Sequence, residues 1–398
     1  MFNGFSYDEI VKVLKNKNSA FSYGEVISPH TVKKIEYIKK YVEQWLFVIV
    51  NVSDYIFFID AMSNAGLYEN GFLSTSIEVL NVFVKYAVRH PEKQFFLISN
   101  DYDETKVGTM KEIFNVYKEK LIQEKIYNIK TNMFGMDACD FLTKFRNQYH
   151  VDFVKGKKKS VLLYVDPYNF ISAKLAYAVK DFVSNVYCEL VLNFYCNDYS
   201  RNVNNSRCKV HQAEIKEVMR DFCHIDDKKF VKVEDLRDVF TSRMMLGTKM
   251  KYRYFVNMKN EKNAPLYYLI YLTPNIRGLE KVKDATWAVL GHHDEYCVSY
   301  KERDADIPNL FNETPEDEAF AIALEKINPL LLNEEGKVLT FENIEEVCLQ
   351  HSFMKESHII NKVIKPFIVD KKLKKEGKVN NRNFKEDSYI VLRKDWRA

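Results

Sequence analysis

The tripeptide Asp166-Pro167-Tyr168 stands at the end of the apolar run Val161 to Val165 and sets a carboxylate, a turn of fixed φ and an aromatic face side by side. At the carboxyl edge of a sheet, where open α/β folds bind ligands, this combination suits a flat polar substrate. The Tyr168 ring can stack on a base while Asp166 accepts a hydrogen bond from an amino group, the geometry that amino-group methylation needs. The competing explanation is a helix-initiating turn with Asp166 as its cap. As a catalytic set the chain offers Asp166, Pro167 and Tyr168.

Three further loops belong to the same reading. Asp60-Ala61-Met62-Ser63-Asn64-Ala65-Gly66 occupies the place of a nucleotide-binding loop, where small residues let backbone amides approach a ligand and the next helix offers its N-terminus. With Gly66 as its single glycine, it also reads as an ordinary strand-to-helix turn. Asp101, after Ser99 and Asn100, is placed either to accept hydrogen bonds from ribose hydroxyls or to cap a helix. Asp137 can meet an adenine amine or cap the helix that follows it. The cofactor-side candidates are thus Asp60, Ser63, Asn64, Gly66, Asp101 and Asp137. Arg201 and Arg277 could hold phosphates, although surface salt bridges are the commoner fate of an isolated Arg. His292-His293 with Asp294 and Cys297 lacks a metal-ligand spacing, and no metal is expected.

These loops need a parallel sheet to bring them together. Apolar runs of strand length, Tyr55–Ile59, Phe95–Ile98, Ile126–Ile129, Val161–Val165 and Leu190–Phe194, alternate with helical segments at about 74–89, 104–123, 139–147 and 173–183. A helix over 31–50 precedes them. Runs without internal alternation imply a sheet covered on both faces, so the expected fold is α/β, Rossmann-like and doubly wound. A polar helical insertion is expected at about 197–249, a late hairpin from Tyr252–Met258 and Leu266–Leu272, and a helix over Leu279–Val289 opened by Arg277-Gly278. The first domain then covers 1–290, and 291–337 reads as an acidic linker with short helices.

The remainder, 338–398, reads as a separate winged helix-turn-helix: helices at 340–351 and 356–369, a basic turn at 371–377 and a short strand at 388–392 in a two-stranded wing. Its cluster Lys371, Lys372, Lys374 and Lys375, with Arg382, Lys385, Arg393, Lys394 and Arg397, suits phosphate contacts, and equally a protein surface. With 59 basic against 55 acidic residues, net charge does not itself argue for nucleic acid, so any electrostatic preference is local. The N-terminal residues lack a secretory pattern, and no apolar run approaches the ~20 residues needed to span a bilayer. Seven scattered cysteines without a Cys-x-x-Cys pair fit a reduced, cytoplasmic protein.

In order along the chain, Phe58 to Gly66, Asp166-Pro167-Tyr168, Leu192-Asn193-Phe194 leading to Arg201, and Arg277 to Trp287 resemble the three-Cys-motif partner family, TcmP. The similarity runs over nearly the whole chain, winged-helix tail included. It implies a sheet of the S-adenosylmethionine-dependent methyltransferase type, S-adenosylmethionine as cofactor, nucleic acid as a target in a bacterial or phage defence or repair setting, and a three-cysteine iron–sulfur protein as partner. Asn64, Ser99 and Asn169 depart from the family pattern, where glycine, an acidic residue and glycine are usual. Asn can take the left-handed backbone that glycine permits, which would keep the loop shape. The same departures suit a second reading, a methyltransferase-fold adaptor or nucleic-acid-binding subunit that has lost catalysis.

Overall fold

In a computed structural model, residues 2–149, 157–196, 209–226, 231–260, 264–291, 295–296, 338–352, 354–364, 373–376 and 389–392 are described. Strands β1 (Tyr55–Asp60), β2 (Gln94–Asp101), β3 (Ile129–Gly135), β4 (Lys159–Val165) and β5 (Glu189–Tyr195) run parallel in the order β3-β2-β1-β4-β5. Beyond β5 the sheet continues through β7 (Pro265–Thr273) and β6 (Tyr252–Lys259), an antiparallel hairpin, to the two-residue β8 (Glu295–Tyr296).

The runs without polar alternation have the burial they imply, because successive side chains point to opposite faces and both faces are covered. On β1, Ile56 and Phe58 enter one core while Phe57 and Ile59 enter the other. On β4, Leu162 and Tyr164 divide from Val161, Leu163 and Val165 in the same way. The first core is closed by α1 (Tyr7–Asn16), α2 (Pro29–Ile49), α3 (Thr75–Arg89), α4 (Glu104–Gln123) and, later in the chain, Ile276–Leu290. The second is closed by α5 (Ala138–Tyr149), α6 (Ala173–Asn185), α7 (Lys209–Glu217) with the π-helical turn Val218–Phe222, and α8 (Val233–Met245). Helix α9 is the segment Ile276–Leu290, capped by Asn275, whose side chain accepts from the Arg277 amide.

Several elements differ from expectation. The third strand is Ile129–Gly135, not 126–129: it is the edge strand, its burial alternates, and so it shows no continuous apolar run. Helix α1 was not anticipated, although Ser6 and Glu9 form a capping box at its start. Leu373–Glu376, expected as a turn, is a strand (β10) that pairs antiparallel with β11 (Tyr389–Leu392), and β11 pairs in turn with β9 (Val338–Thr340). β9 thus joins the two strands β10 and β11 of the expected wing as a third.

Helix α10 (Phe341–His351) and α11 (Glu356–His358), which continues as the π-helical segment Ile359–Ile364, pack on α9, with Ile344, Cys348, Leu349, Met354 and Ile359 joining the first core. Buried Lys283 donates to the Leu349 and Ser352 carbonyl oxygens at the end of α10, where a cation offsets the helix dipole. Among the described residues, no helix is long and apolar enough to cross a membrane.

At the amino edge of β5, half-buried Glu189 accepts from the Tyr41 and Tyr271 hydroxyls. Burial pushes its carboxyl up to about 7, against the pull of the Tyr41 hydrogen bond. A carboxyl raised on folding contributes stability that is full below the unfolded value near 4.5 and is lost as pH rises through about 7. Denaturant titrations between pH 5 and 8 should therefore show wild-type stability falling more steeply than that of Glu189→Gln, by up to ~1.4 kcal/mol per pH unit. Equal slopes would show that Glu189 titrates as it does in the unfolded chain.

Candidate functional site

The β-strand order reverses direction at β1, whose neighbours are β2 and β4, and a ligand crevice is expected beyond the carboxyl ends of such strands. A cleft of about 1090 Å³ lies there. Asp60, Ser63, Asn64, Asp101, Asp137, Asp166, Pro167 and Tyr168 all line it, so the loops after β1, β2, β3 and β4 converge as the sequence reading required.

The register explains the Asp166 side. Val165 is opposite Leu192 in the parallel β4–β5 pair, which brings Asp166 beside Asn193 just past the ladder. Asn193 Nδ2 donates to Asp166 Oδ1 at 2.6 Å; the Tyr164 hydroxyl donates to Oδ2 at 2.9 Å, and Lys34 Nζ to the same oxygen at 2.6 Å. Asp166 is thus not a helix cap: α6 is capped by Ser172, which accepts from the Leu175 amide. Tyr168 stands at the mouth, 75% exposed, its hydroxyl 3.4 Å from Glu25. Behind it, the Tyr195 and Tyr267 rings stack at 6.2 Å, and Lys34 Nζ lies 5.4 Å from the centre of the Tyr267 ring.

Lys34 is the residue the sequence reading missed. Its spacing carried the signal, since Lys34, Ile38, Tyr41 and Trp45 recur at intervals of four, three and four along one buried stripe of α2. A lysine in that stripe must find a buried partner. Nearby His30 also lines the cleft, and burial together with the Lys34 charge holds its imidazole below the usual value.

The cofactor-side loop is built differently from a phosphate cradle. From Ala61 to Ala65 every backbone N–H has an internal acceptor: Tyr164 O, Asp60 Oδ1, Asn100 O, Asp101 Oδ2 and Asn64 Oδ1, in chain order. Asn64 takes the left-handed backbone at φ 61°, the conformation its glycine-like role required, whereas Asn169 is not among the described residues with positive φ. Gly66 lies behind the loop: a Cβ there would meet Ile113 Cδ1 at 2.7 Å, and its φ of 87° also favours glycine. Asp101 joins the first two loops, accepting from the Asn64 and Asp103 amides, while Asp103 caps α4. Asp137 accepts from the Cys139 amide and pairs with Lys174 at 3.4 Å.

Charge on this side is negative. Asp60 is buried, accepts from Ser76 Oγ at 2.7 Å, and is pushed up to about 7 chiefly by burial, with Asp166 and Asp101 adding to the rise. Ser99, where an acidic residue was expected, bonds to Ser76 beneath Asp60. Asn100 ties the loops together by donating to the Ala61 and Met136 carbonyl oxygens, which fixes its amide and leaves Oδ1 buried without a hydrogen-bond partner among the described residues.

Among the phosphate candidates, three positions are described. Arg277 pairs with Glu280 at 2.8 Å and approaches Glu356 at 3.8 Å, and it does not line the cleft. Lys374 and Lys375 fall in β10; Arg201, Lys371 and Lys372 lie outside the described residues.

Fold and site together define a Rossmann-like α/β protein with a cleft at its switch point. No protein-family model matches the chain, and no curated protein matches it. Among solved structures it is similar to a protein from Listeria monocytogenes assigned to the class I S-adenosylmethionine-dependent methyltransferases (9% identity, 69% of this chain and 71% of that one, TM-score 0.29). It is also similar to human methyltransferase-like protein 13 in complex with SAH (10%, 65% and 92%, TM-score 0.30) and to a chain of a fibrillarin/Nop5p complex (11%, 56% and 72%, TM-score 0.25). At TM-scores this low the likenesses carry nothing about the site.

The left-handed turn at Asn64 makes a direct expectation. Asn64→Gly and Asn64→Val both remove the Oδ1 acceptor of the Ala65 amide, but only valine also strains the left-handed backbone, so Asn64→Val should be less stable than Asn64→Gly by ~1–2 kcal/mol in denaturant titration. Equal stability of the two variants would contradict the loop geometry.

Proposed function

We propose that the chain is an S-adenosylmethionine-dependent methyltransferase-like protein whose cleft takes the cofactor over β1 and β2 and a nucleic-acid base over β4 and β5. The observation that carries this reading is the inward-turned loop 61–65: with its amides satisfied and Asp60 and Asp101 at the cleft, the site disfavours phosphates and favours a cationic nucleoside. S-adenosylmethionine is such a ligand, phosphate-free and positive at its sulfonium and amino groups, and when bound it supplies an electrophilic methyl group. Asn100 Oδ1, a buried acceptor without a donor, fits an N–H of that ligand. Asp60 and Asp101 would hold its positive end, and Asp137 is placed for an adenine amine.

On the target side, Asp166 orients an amino group and Tyr168 offers a stacking face. Tyr168 at the cleft mouth, 75% exposed, with the stacked Tyr195 and Tyr267 rings also lining the cleft, supports a single-stranded or flipped-out base as target. The order of motifs that resembles the TcmP family supports a three-cysteine protein as partner, and the basic residues of 338–398 support a winged-helix unit contacting phosphates.

Titration calorimetry tests the cofactor assignment. S-adenosylmethionine should bind and ATP should not. Because Asp60 is raised to about 7, its charged form grows as pH rises, and affinity for the cation should increase up to about tenfold from pH 6 to 8. Asp60→Asn should flatten that dependence. No binding at millimolar S-adenosylmethionine would remove the enzyme reading.

A further inference from the structure

Counting hydrogen bonds at Asp166 narrows what the target half can accept. A carboxylate has about four lone-pair sites. Two on Oδ2 are used by Lys34 and Tyr164 and one on Oδ1 by Asn193, so a single acceptor site remains, on Oδ1. Beside it is a second acceptor: Asn193 donates its amide N–H to Asp166, which fixes the amide orientation, and its Oδ1 is buried with no hydrogen-bond partner. On the opposite oxygen stands Lys34, only 7% exposed yet lining the cleft, with one ammonium hydrogen given to Asp166 and two others to place. The target half therefore holds the open Asp166 Oδ1 site, a second acceptor, Asn193 Oδ1, beneath the cleft surface, and, across the carboxylate, one charged donor.

We infer that Lys34, Asp166 and Asn193 together form a reader for an amino group conjugated to a ring nitrogen, as in cytosine or adenine. The two acceptors, Asp166 Oδ1 and Asn193 Oδ1, take the two amino hydrogens, and Lys34 donates to the neighbouring ring nitrogen. Lys34 is then a specificity-determining residue that touches the base, with a second effect through Asp166, whose partner count it fixes. A uracil edge, with one N–H between two carbonyl oxygens, leaves one acceptor unfilled, which costs binding. This inference rests on the assignment of the β4–β5 side as the target half, and not on the identity of the cofactor.

Saturation-transfer NMR on the full chain, with nucleosides at millimolar concentration and no cofactor, tests it. The probes are cytidine against 3-deazacytidine and adenosine against 1-deazaadenosine, each pair differing by the ring nitrogen alone. For at least one pair, wild type should bind the parent nucleoside about tenfold more tightly than the deaza analogue, and Lys34→Met should erase that difference by weakening the parent only. Since Lys34→Met leaves Asp166 without its counter-charge, the uncharged pair Lys34→Met/Asp166→Asn serves as a second variant, and it too should bind parent and analogue alike. Equal binding of parent and analogue by wild type, or discrimination that survives loss of Lys34, overturns the inference. Nucleoside discrimination without S-adenosylmethionine binding would sink the cofactor assignment and leave the reader intact; the reverse result would do the opposite.

Discussion

A carboxylate set into the end of a buried sheet is costly unless donors surround it, and Asp166 obtains three from three elements: Lys34 on α2, Tyr164 on β4 and Asn193 on β5. That requirement ties the helix before the sheet to its two central strands and fixes where the Pro167-Tyr168 turn leaves the surface. The rest of the cleft is arranged about this point. Asp101 and Asn100 join the loops after β1, β2 and β3 on one side, while the tyrosines and Lys34 line the other.

The two halves differ in electrostatic character for reasons visible in the backbone. The loop after β1 spends its amides internally, so the usual means of holding an anion is absent between Ala61 and Ala65, and the nearby carboxylates reverse the preference. The target half combines a lysine with acceptors and rings, a set suited to a polar heterocycle. Away from the cleft, Arg277, Lys283 and Trp287 of α9 are engaged with the C-terminal helices: Arg277 with Glu356, Lys283 with the end of α10, and Trp287 ring-to-ring with His358 at 4.2 Å. The segment that resembled a family signature thus has an intramolecular role in packing.

Much of this was legible in the residues. Strands β1, β2, β4, β5 and β7 announced themselves as apolar runs because each is largely buried on both faces, whereas β6 alternates, and the four acidic loop positions then had to share one edge. Edge strand β3 was displaced because alternation hides an exposed strand among helical patterns. For Lys34 the signal was its position on the Ile38–Tyr41–Trp45 stripe of α2, which marked it as inward. Two properties had no sequence signal at all: which backbone amides the Asp60–Gly66 loop would consume, and the orphaned acceptors of Asn100 and Asn193, since both depend on how separate loops meet.

The central claim is that one cleft at the β1–β4 switch point holds cofactor and target in separate halves. A crystal structure of the chain grown with S-adenosylhomocysteine tests it most directly. The account predicts ligand density against Asp60, Asn100 and Asp101, with the Lys34–Asp166 pair and Tyr168 left open beside it. Density lying across Lys34 and Asp166 instead, or a crystal whose cleft stays empty at millimolar ligand, would contradict it.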